Sequence, residues 1–453
     1  MRASARQTVH WADTKLRIAA SRPVRAVRHC ARGQRVASAT ASRITTIRAN
    51  RRLVLEERHG TARRDSGRRA GPGFAGPFCG QLLGDYGAEI IKVEPPGTGD
   101  VLRQWGRVDS TGDSLWWSVA ARNKRSITIN LRQPQGQDLV RRLVARSDIL
   151  VENFRPGTME RWGLGWSDLS VIRPELIMVR ISGYGQTGPY SQRAGYAAIG
   201  EAMGGLRALT GYPDRPPTRV GISIGDSLTG MFGALGALAA LEARHRTGRG
   251  QVIDACIFES VLAVTESLVT EWDARKVSRE RTGPTLPGIA PSNVYPTSDG
   301  QLLIAANQDS VFQRLTKVMG MPELASDPRF ADHQARGRHM KEIDSIIADW
   351  SRQHTSAQLL DMLHDAGVPA GLVYQPQDML EDPHFAARES VTKVKDSRHG
   401  ELMMQGVVPK FGQTRPSILW PGPALGAHTD AVLSDVLGLD AEEIDRLRKQ
   451  GAI

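Results

Sequence analysis

Short apolar runs alternate with amphipathic stretches from Phe74 onward, and this alternation sets the expected architecture. The stretch QGQDLVRRLVAR, at 135–146, has apolar positions at helical spacing. A further helix is expected from about Pro77 to Tyr86, before a stop at Gly87. Four runs have the length and residue types of strands: 89–94, 124–131, 148–153 and 175–182. Strands that alternate with helices at this spacing predict a parallel sheet in an α/β domain, with binding sites in the loops at the sheet edge.

A connector rich in Pro and Gly, residues 282–300, precedes a second and smaller α/β segment. That segment opens with QLLIAANQDSVFQRLTKVMG. Helices are expected near 340–352 and 356–366, and strands in AGVPAGLVYQ and in the region 400–415. The last residues of the chain have helical periodicity.

The first 70 residues differ from the rest in composition. They are rich in Arg, Ala and Ser, and RRLVLEE, at 51–57, is the only stretch that resembles a strand. This composition is typical of an organellar transit peptide. It is equally typical of translation upstream of the true start or in a shifted frame, and a basic arm that binds nucleic acid ranks third.

The net charge of +11 is unevenly distributed along the chain. Residues 1–70 carry 17 Arg and one Lys against four acidic residues, a net charge of +14, and the remaining 383 residues carry −3. A folded protein that reads nucleic acid normally spreads cations over its own surface. We therefore expect no nucleic-acid partner.

Cysteine usage and hydropathy exclude two further classes. Cys30, Cys79 and Cys256 stand far apart without the spacing of metal ligands, so neither a disulfide framework nor a metal site is indicated. The longest apolar run, Met231–Leu241, falls short of the about 18–20 residues that cross a bilayer. We therefore expect a soluble protein with no membrane partner.

The stretch VENFRPGTMERWG, at 151–163, carries the strongest signal for a ligand. Asn153, Phe154 and Arg155 follow the predicted end of a strand, and a Pro-Gly turn then leads into a helix that carries Arg161. An aromatic ring flanked by an amide and by arginines at the carboxyl end of a strand suits a nucleotide-bearing ligand. The sequence therefore predicts a nucleotide-binding edge here.

Two other stretches have both a structural and a functional interpretation. Arg122, Lys124 and Arg125 precede a strand, where cations could meet phosphates, but a solvated loop edge is the simpler explanation. The Gly-rich loop SGYGQTGPYSQRAGY, at 182–196, carries three Tyr residues, and loops of this length inside compact domains are more often functional than structural. It could equally be a surface excursion.

Asp226 stands at the start of a run of small apolar residues with helical spacing. Taken alone, it is best explained as an N-cap that accepts backbone N–H bonds, worth about 1 kcal/mol. The same position stabilises a negative charge through the helix dipole, and an ionised carboxylate free of metal is what covalent carboxylate catalysis requires. Gly230, Gly233 and Gly236 recur at every third position of that helix and predict a smooth face for close packing.

Seven stretches, in order over residues 74–453, resemble the class III coenzyme A transferases, the family of formyl-CoA transferase and carnitine CoA-transferase. They are LGDYGAEIIKVEPPGTGD, RNKRSITINL, VENFRPG, SGYGQTGPYSQRAGY, GDSLTGM, TGRGQVIDA and GAHTDAVLSDVLGL. The resemblance implies a Rossmann-like α/β large domain with a parallel sheet, formed by both chain ends, a smaller α/β domain and an interlocked homodimer. It also implies a division into a leader, the first part of the large domain, a linker, the small domain and a return segment that completes the large domain: 1–73, 74–255, 256–285, 286–375 and 376–453.

The family's functional residues carry over by motif. The Asp of the GD(S/N)xxG segment, here Asp226, is the implied nucleophile. Coenzyme A or acyl-CoA would be a substrate, and no permanently bound cofactor or metal is expected. The implied CoA contacts fall at Phe74, Ala75, Ile129, Asn130, Leu131, Arg132, Asn153, Phe154, Arg155, Arg161, Arg193, Ala194, Gly195 and Tyr196.

The resemblance further implies the reaction and the compartment. GYGQTGPYSQRAGY is most similar to the branch that moves CoA from succinyl-CoA to dicarboxylic acids, and Arg193, Arg207 or Arg219 is a candidate to hold the remote carboxylate. TGPTLPGIAPSN stands where formyl-CoA transferases have a Gly-only loop, so oxalate and formate are not expected as substrates. The expected location is the cytoplasm, or the mitochondrial matrix if the leader is a transit peptide.

The sequence leaves two alternatives to a CoA-transferase. In α-methylacyl-CoA racemases a His stands opposite the Asp, whereas RAGYAAIG offers Tyr196 and no His, which favours the transferase. The family also has an apolar strand directly before AGP, and here RRDSGRRAGPG, which cannot be a buried strand, occupies that place. We therefore expect the first strand of the sheet to be missing or badly replaced, which would leave an inactive CoA-binding protein as the second alternative.

Overall fold

The computed structural model describes the backbone of strand Leu53–Glu57 and residues 73–106 and 114–453. A six-stranded sheet, parallel throughout, organises the larger part of these residues. Its strands are β1 (Leu53–Glu57), β2 (Glu89–Glu94), β3 (Lys124–Thr128), β4 (Ile149–Glu152), β5 (Ile177–Ser182) and β6 (Val252–Cys256). The predicted α/β architecture with a parallel sheet is confirmed.

The strands lie in the order β3-β2-β1-β4-β5-β6, so the direction of winding reverses between β1 and β4. This is the strand order of doubly wound dinucleotide-binding folds. In such sheets ligands bind outside the carboxyl ends of the strands, at the point of reversal. The loop after β4 therefore begins at the most favourable place for a site.

The first strand of the sheet is present, and the expectation that it would be missing is wrong. Leu55 of β1 is in register with Ile91 on one side and with Leu150 on the other. The strand comes from RRLVLEE, well upstream of the Arg-rich residues that precede AGP. The expectation failed because it required the strand to abut AGP, whereas a parallel strand needs only paired backbone groups and a connection long enough to return.

Ten helices accompany this sheet in the described part of the chain. They are α1 (Ala75–Asp85), α2 (Leu115–Ala120), α3 (Pro134–Val144), α4 (Thr158–Arg161), α5 (Trp166–Ile172), α6 (Ala197–Met203), α7 (Leu206–Leu209), α8 (Ile224–Thr247), α9 (Ile257–Leu262) and α10 (Leu268–Arg275). A 3₁₀ turn spans Val101–Gln104. The helices predicted at 77–86 and 135–146 correspond to α1 and α3, each within two residues at its limits.

Successive strand residues point to opposite faces of the sheet and supply two cores. Ile90 and Ile149 pack on the face covered by α1 and α8. Ile91 and Leu150, the next residue in each strand, pack on the opposite face with the helix α3. Burial on both faces explains why these strands are almost continuously apolar.

A further hydrophobic core packs against a separate, antiparallel sheet. Its strands β7 (Ser292–Pro296), β8 (Gln301–Ala305) and β9 (Ala370–Leu372) pair in that order. Helices α11 (Asp309–Val318), α12 (His333–Arg338), α13 (Met340–Ser351) and α14 (Ser356–Asp365) accompany it, with a 3₁₀ turn at Pro322–Ala325. The helices predicted near 340–352 and 356–366 are confirmed as α13 and α14.

The remaining residues lead back to the large sheet. They form α15 (Pro376–Glu381), α16 (Pro383–Ala387), the hairpin β10 (Val391–Asp396) and β11 (Gly400–Gln405), α17 (Thr429–Leu437) and α18 (Ala441–Lys449). Only 400–405 of the strand region expected at 400–415 is a strand. Val432 of α17 and Ile444 of α18 belong to the same core as Leu150. Because Ala452 O accepts a hydrogen bond from Asn130 N (2.8 Å), the chain end also fixes the loop after β3.

Helix α8 contains 24 residues and is the one helix in the described residues that is long and apolar enough, by length and composition, to cross a membrane. Half of its most apolar window is buried inside the protein. The buried face carries Gly230, Gly233 and Ala234 and packs on α1 and on β5. The opposite face exposes Phe232 and Leu235.

Candidate active site

Glycines of α8 allow it to approach α1 closely. A Cβ atom on Gly230 would lie 2.8 Å from the carbonyl oxygen of Ala75, and one on Gly233 would lie 3.4 Å from Cys79 Sγ. The first distance is shorter than any real Cβ contact, so only glycine fits at Gly230. The smooth face predicted for this helix is confirmed, and it brings the amino ends of α1 and α8 together.

Asp226 lies in the first turn of α8 and is not its N-cap. The helix begins at Ile224, and Ser223 is the cap residue. Asp226 is only 3% exposed. The positive end of the helix dipole lies at this turn and stabilises a negative charge there. The helix-cap explanation of this carboxylate is therefore wrong, and a buried acid at a helix start is what the structure shows.

Two groups from other elements lie beside Asp226. A Cβ atom on Gly73 would lie 3.5 Å from Asp226 Oδ1 and 3.3 Å from Asn153 Nδ2. The Asn153 amide donates a hydrogen bond to the carbonyl oxygen of Gly73 (3.3 Å). The start of α1, the loop after β4 and the start of α8 thus meet at the point where the winding of the sheet reverses.

The turn that carries Asn153 is held by a buried acid. Glu152 Oε2 accepts a hydrogen bond from Phe154 N (2.8 Å), and Glu152 Oε1 accepts one from Arg180 Nε (2.7 Å). Burial raises the pKa of Glu152 to about 7, against the opposing effect of the Arg180 guanidinium. Glu152 therefore ties the position of Asn153 to the interior of the sheet.

Phe154 and Ala75, both predicted to contact CoA, are core residues in this structure. The Phe154 ring is 5% exposed and lies edge-on to Trp162, with ring centroids 5.2 Å apart. Ala75 is buried in the first turn of α1. The preceding Phe74 is half-buried and stacks on Phe78 at 5.3 Å. The role of these residues in binding CoA stays a prediction.

The predicted arginines lie on the surface near the loop 182–196. Arg155 Nη2 donates a hydrogen bond to the carbonyl oxygen of Gln192 (2.7 Å), so the loop after β4 touches the Gly-rich loop. Arg161 bonds Thr158 Oγ1 (3.0 Å), and the Arg193 guanidinium lies 3.5 Å from the centroid of the Tyr190 ring. All three guanidinium groups are exposed, so they are accessible to an anionic ligand.

The same loop supplies the last three predicted contacts. Its two ends meet where a Cβ on Gly183 would lie 2.7 Å from Gly195 Cα, so both positions require glycine. Ala194 and Tyr196 on either side of Gly195 are exposed. The structure therefore presents this segment to solvent at the carboxyl end of β5.

The predicted contacts at 129–132 follow the carboxyl end of β3. Ile129 and Leu131 are buried, Asn130 is half-buried and Arg132 is exposed. β3 is three strand spacings from β4, which is about 14 Å. A compact ligand cannot touch both loops, whereas an extended molecule such as a nucleotide with a long arm can.

The cations before β3 have structural partners. Arg122 is buried and makes bonds of 2.6–3.1 Å to both carboxylate oxygens of Asp85. Lys124 Nζ donates to the carbonyl oxygen of Pro77 (2.6 Å), and Arg125 Nη1 lies 2.7 Å from Glu89 Oε1. Neither a phosphate site nor a solvated loop edge describes them, because folding has buried the first two against α1.

Sequence reasoning missed one acid close to Asp226. Glu201 of α6 is fully buried, and its Cγ lies 3.1 Å from where a Cβ of Gly225 would stand. Its Oε2 receives Nε (3.1 Å) and Nη2 (3.0 Å) of Arg207. The available signal was a single acid in the otherwise small and apolar stretch YAAIGEAMGG.

With this geometry in view, comparison with known proteins identifies the class. Residues 69–429 match the model of CoA-transferase family III, and the chain belongs to that family. Among the residues that the structure describes, no group of three or more His, Cys, Asp or Glu side chains could hold a metal ion. The class therefore rests on the family match and on the arrangement of residues around the sheet.

Two relatives and one solved structure are similar to this chain over most of its length. The chain is 56% identical over 381 residues to a succinyl-CoA–D-citramalate CoA-transferase of Chloroflexus aurantiacus, covering 84% of this chain and 95% of that one. It is 43% identical over 384 residues to the beta subunit of a succinyl-CoA–L-malate CoA-transferase of the same organism, with the same coverage. A crystal structure of a CAIB/BAIF family protein from Brucella suis matches with a TM-score of 0.73 at 34% identity, covering 85% of this chain and 98% of that one.

Proposed function

We propose that this CoA-transferase moves CoA from succinyl-CoA to a dicarboxylic acid through a thioester on Asp226. The observation that carries the proposal is the place of Asp226: a buried carboxylate in the first turn of α8, beside Asn153 and Gly73, at the reversal point of a doubly wound sheet. Family membership supports the reaction class. The names of the two Chloroflexus relatives support the donor and the acid class.

The proposed chemistry balances without metal, ATP or an external base. An Asp226 carboxylate oxygen attacks the succinyl-CoA carbonyl carbon, and the C–S bond breaks to release CoA thiolate and leave a mixed anhydride. The thiolate attacks the aspartyl carbonyl carbon and releases succinate. The acceptor carboxylate then attacks the carbonyl carbon of the aspartyl-CoA thioester, and the C–S bond breaks to release CoA thiolate and leave a second mixed anhydride. The thiolate finally attacks the acceptor acyl carbon of that anhydride, which gives the new acyl-CoA and frees the Asp226 carboxylate.

Each step passes through a tetrahedral oxyanion that needs N–H donors. Backbone N–H groups at the amino end of α8 and glycine amides of the loop 182–196 are suitable donors by type. Because Asp226 is almost fully buried, the proposal includes a local opening at Gly73, where the absence of a side chain hinders an approaching thioester least.

The CoA itself would lie along the sheet edge. The adenosine and phosphate end would meet the loops after β3 and β4, with Arg132, Arg155 and Arg161 as exposed cations. The thioester would then reach Asp226 from the loop after β5. The separation of about 14 Å between the strands favours an extended ligand of this kind.

A homodimer is proposed on the apolar surface of the helices. Met231, Phe232, Leu235 and Leu238 of α8 and Trp272 of α10 are exposed. Exposed apolar patches of this kind mark association surfaces. Light scattering after gel filtration should give twice the chain mass. A monomer at micromolar concentration would contradict the proposal, and the interlocked arrangement needs a dimer structure.

We also propose how the chain is divided into domains and where in the cell the protein is located. The division at residues 73, 255, 285 and 375 separates the core around Phe312 from the cores of the large sheet, and limited proteolysis within 256–285 would support it. The proposed location is the cytoplasm. Recovery of the protein in the mitochondrial matrix would instead identify the Arg-rich leader as a transit peptide.

The function is tested by incubating the full chain with succinyl-CoA and a panel of acids and separating the CoA esters by mass spectrometry. Formation of a new acyl-CoA, with an enzyme-CoA adduct on the peptide that contains Asp226, is the expected result. Loss of an α-proton without transfer would indicate racemisation, and CoA binding without turnover would indicate the inactive alternative. Asp349→Asn, on the exposed surface of α13, is the control for substitution of an Asp.

A further inference from the structure

The buried Glu201 and the half-buried Arg207 form a pair beside the start of α8, and the hydrogen-bonding capacity of this pair is only partly used. Both Arg207 nitrogens that contact Glu201 converge on the same oxygen, Oε2. Within the described residues, the other oxygen, Oε1, is buried and has no hydrogen-bond partner. A buried oxygen left without a donor destabilises the fold. This unsatisfied oxygen belongs to a side chain of α6 that lies against Gly225, the residue before Asp226 in α8.

Where Glu201 meets the start of α8, the neighbouring groups are apolar or hydrogen-bond acceptors. A Cβ atom at Gly225 would touch Glu201 Cγ at 3.1 Å, a methyl group of Ile257 at 3.2 Å and the carbonyl oxygen of Ala197 at 3.5 Å. Methyl and carbonyl groups cannot donate a hydrogen bond to a carboxylate. A ligand that brings a hydroxyl or amide hydrogen would complete the site.

Arg207 also has capacity left for a ligand. Its Nε and Nη2 are used by Glu201, and Nη1 makes no hydrogen bond or ion pair among residues 73–106 and 114–453. Its side chain is 24% exposed, so one edge of the guanidinium is open. The other two candidate arginines are held differently: Arg193 lies over the Tyr190 ring, and Arg219 bonds Ser223 Oγ (3.2 Å) from an exposed position.

We propose that Arg207 and Glu201 select the acceptor acid, Arg207 by binding one carboxylate through Nη1 and Glu201 by accepting the hydrogen of a neighbouring hydroxyl through Oε1. This inference rests on the proposed function and names its substrate class, a 2-hydroxy dicarboxylate. Glu201 also acts as a positioning residue, since its Oε2 fixes the orientation of the guanidinium. The second carboxylate of the acid remains for reaction at Asp226.

The charges favour this acid over simpler ones. A plain dicarboxylate would satisfy Arg207 but would bring a negative charge towards Oε1 without any hydrogen to donate. A hydroxyl beside the carboxylate supplies that hydrogen and removes the cost of the unpaired oxygen. Citramalate and malate, the acids named for the two relatives, both carry a hydroxyl on the carbon next to one carboxylate.

The test measures kcat and KM of the full chain with three classes of acid. Malate represents the hydroxy dicarboxylates, isotope-labelled succinate exchanging into succinyl-CoA represents the plain dicarboxylates, and butyrate represents the monocarboxylates. The variants are Arg207→Gln, Arg207→Lys and Glu201→Gln. Arg446→Gln, on the exposed surface of α18, is the matched control.

Each variant should change a different ratio. Arg207→Gln should raise KM for malate and succinate about tenfold or more relative to KM for butyrate, because only the first two acids lose a bond to a charged group. Glu201→Gln should lower kcat/KM for malate relative to succinate about tenfold, since only malate uses Oε1. Arg207→Lys keeps the charge and should lose less than Arg207→Gln.

Three outcomes would overturn the inference. Equal losses for malate, succinate and butyrate in both variants would show that the pair acts only on the structure. Unchanged ratios in folded variants would show that no acceptor uses it. If Arg207→Gln fails to fold, the ratios for Arg207→Lys decide, and unchanged ratios there reject the inference. Failure of the proposed function is distinct, because the wild-type chain would then exchange no labelled succinate at all.

Discussion

Two buried carboxylates in this protein, Asp85 and Glu201, each pair with an arginine but differ in how many of their oxygens have partners. Asp85 uses both oxygens: Arg122 binds each of them, and Asn123 Nδ2 donates to Oδ1 (2.9 Å). Glu201 uses one oxygen for Arg207 and has no partner for the other in the described part of the protein. The first pair fastens α1 to the start of β3. The second lies next to the proposed nucleophile.

The contrast shows how a structural ion pair differs from one available to a ligand. A buried ion pair stabilises the fold only when further hydrogen bonds satisfy both groups, as at Asp85. A pair that leaves one carboxylate oxygen and one edge of the guanidinium unused can still form hydrogen bonds to a ligand. Sequence spacing does not distinguish the two, because both look like a cation in a polar or Gly-rich stretch.

The largest effect is expected at Asp226, beside the incomplete pair. Asp226→Asn removes the attacking carboxylate with almost no change of volume, so transfer should fall at least about 10³-fold while the melting temperature changes little. Succinyl-CoA turnover and thermal melting of the same sample measure this. Activity within a factor of about two of wild type would exclude the covalent route through this residue.

The complete pair should give the next largest effect, on stability alone. Arg122→Gln leaves Asp85 buried without its main partner and should lower the free energy of unfolding by about 3–5 kcal/mol. Arg125→Gln, at the second residue of β3, removes a partly exposed pair with Glu89 and should cost about 1 kcal/mol or less. Urea unfolding compares them, and equal losses would mean that burial does not decide the difference.

Close packing of α8 on α1 should affect both stability and activity, and the expected loss of stability is smaller than that for Arg122→Gln. Gly230→Ala puts a Cβ 2.8 Å from the carbonyl oxygen of Ala75, so α1 and α8 must separate, at a cost of about 1–3 kcal/mol. Since Asp226 and Gly73 lie at the ends of these helices, kcat should fall as well. Gly248→Ala, at the far end of α8 and open to solvent, should reduce stability without reducing kcat.

The smallest effect concerns pH. Glu152 has a folded pKa of about 7 against an ordinary value of 4.5, so between these values the folded chain holds a proton that the unfolded chain has released. Its contribution to stability is therefore present at low pH and lost as pH rises through about 7, by about 1 kcal/mol between about pH 6 and about pH 8. Glu152→Gln should flatten that dependence. Parallel curves for the two proteins would assign the pH dependence to another group.

Local patterns predicted most of the elements. The apolar run at 89–94 is β2 without any change of limits. On the small-residue face of 230–236, Gly230 and Gly233 lie against α1 and Gly236 lies against Ile253 of β6. The amide, ring and arginine of Asn153, Phe154 and Arg155 do follow the carboxyl end of a strand. Periodicity succeeds in these cases because a strand or a helix repeats its buried positions within a few residues.

The failures share a physical cause, which is that pairing and burial involve distant residues. Loss of water around Arg122 depends on Asp85, 37 positions earlier, and no local pattern shows it. The cap interpretation of Asp226 failed because the helix starts at Ile224, which leaves Ser223 as the cap residue and places Asp226 inside the first turn.

By itself the sequence determined the alternation of strands and helices, the motifs of the CoA-transferase family and the acid at position 226, since these depend on residue types and short spacings. Only the tertiary structure decided that 53–57 supplies the strand between β2 and β4, that Gly73, Asn153 and Asp226 meet, and that Glu201 keeps an unused oxygen. Those facts depend on which groups, distant in sequence, are buried against one another when the chain folds. No single stretch of sequence shows these pairings.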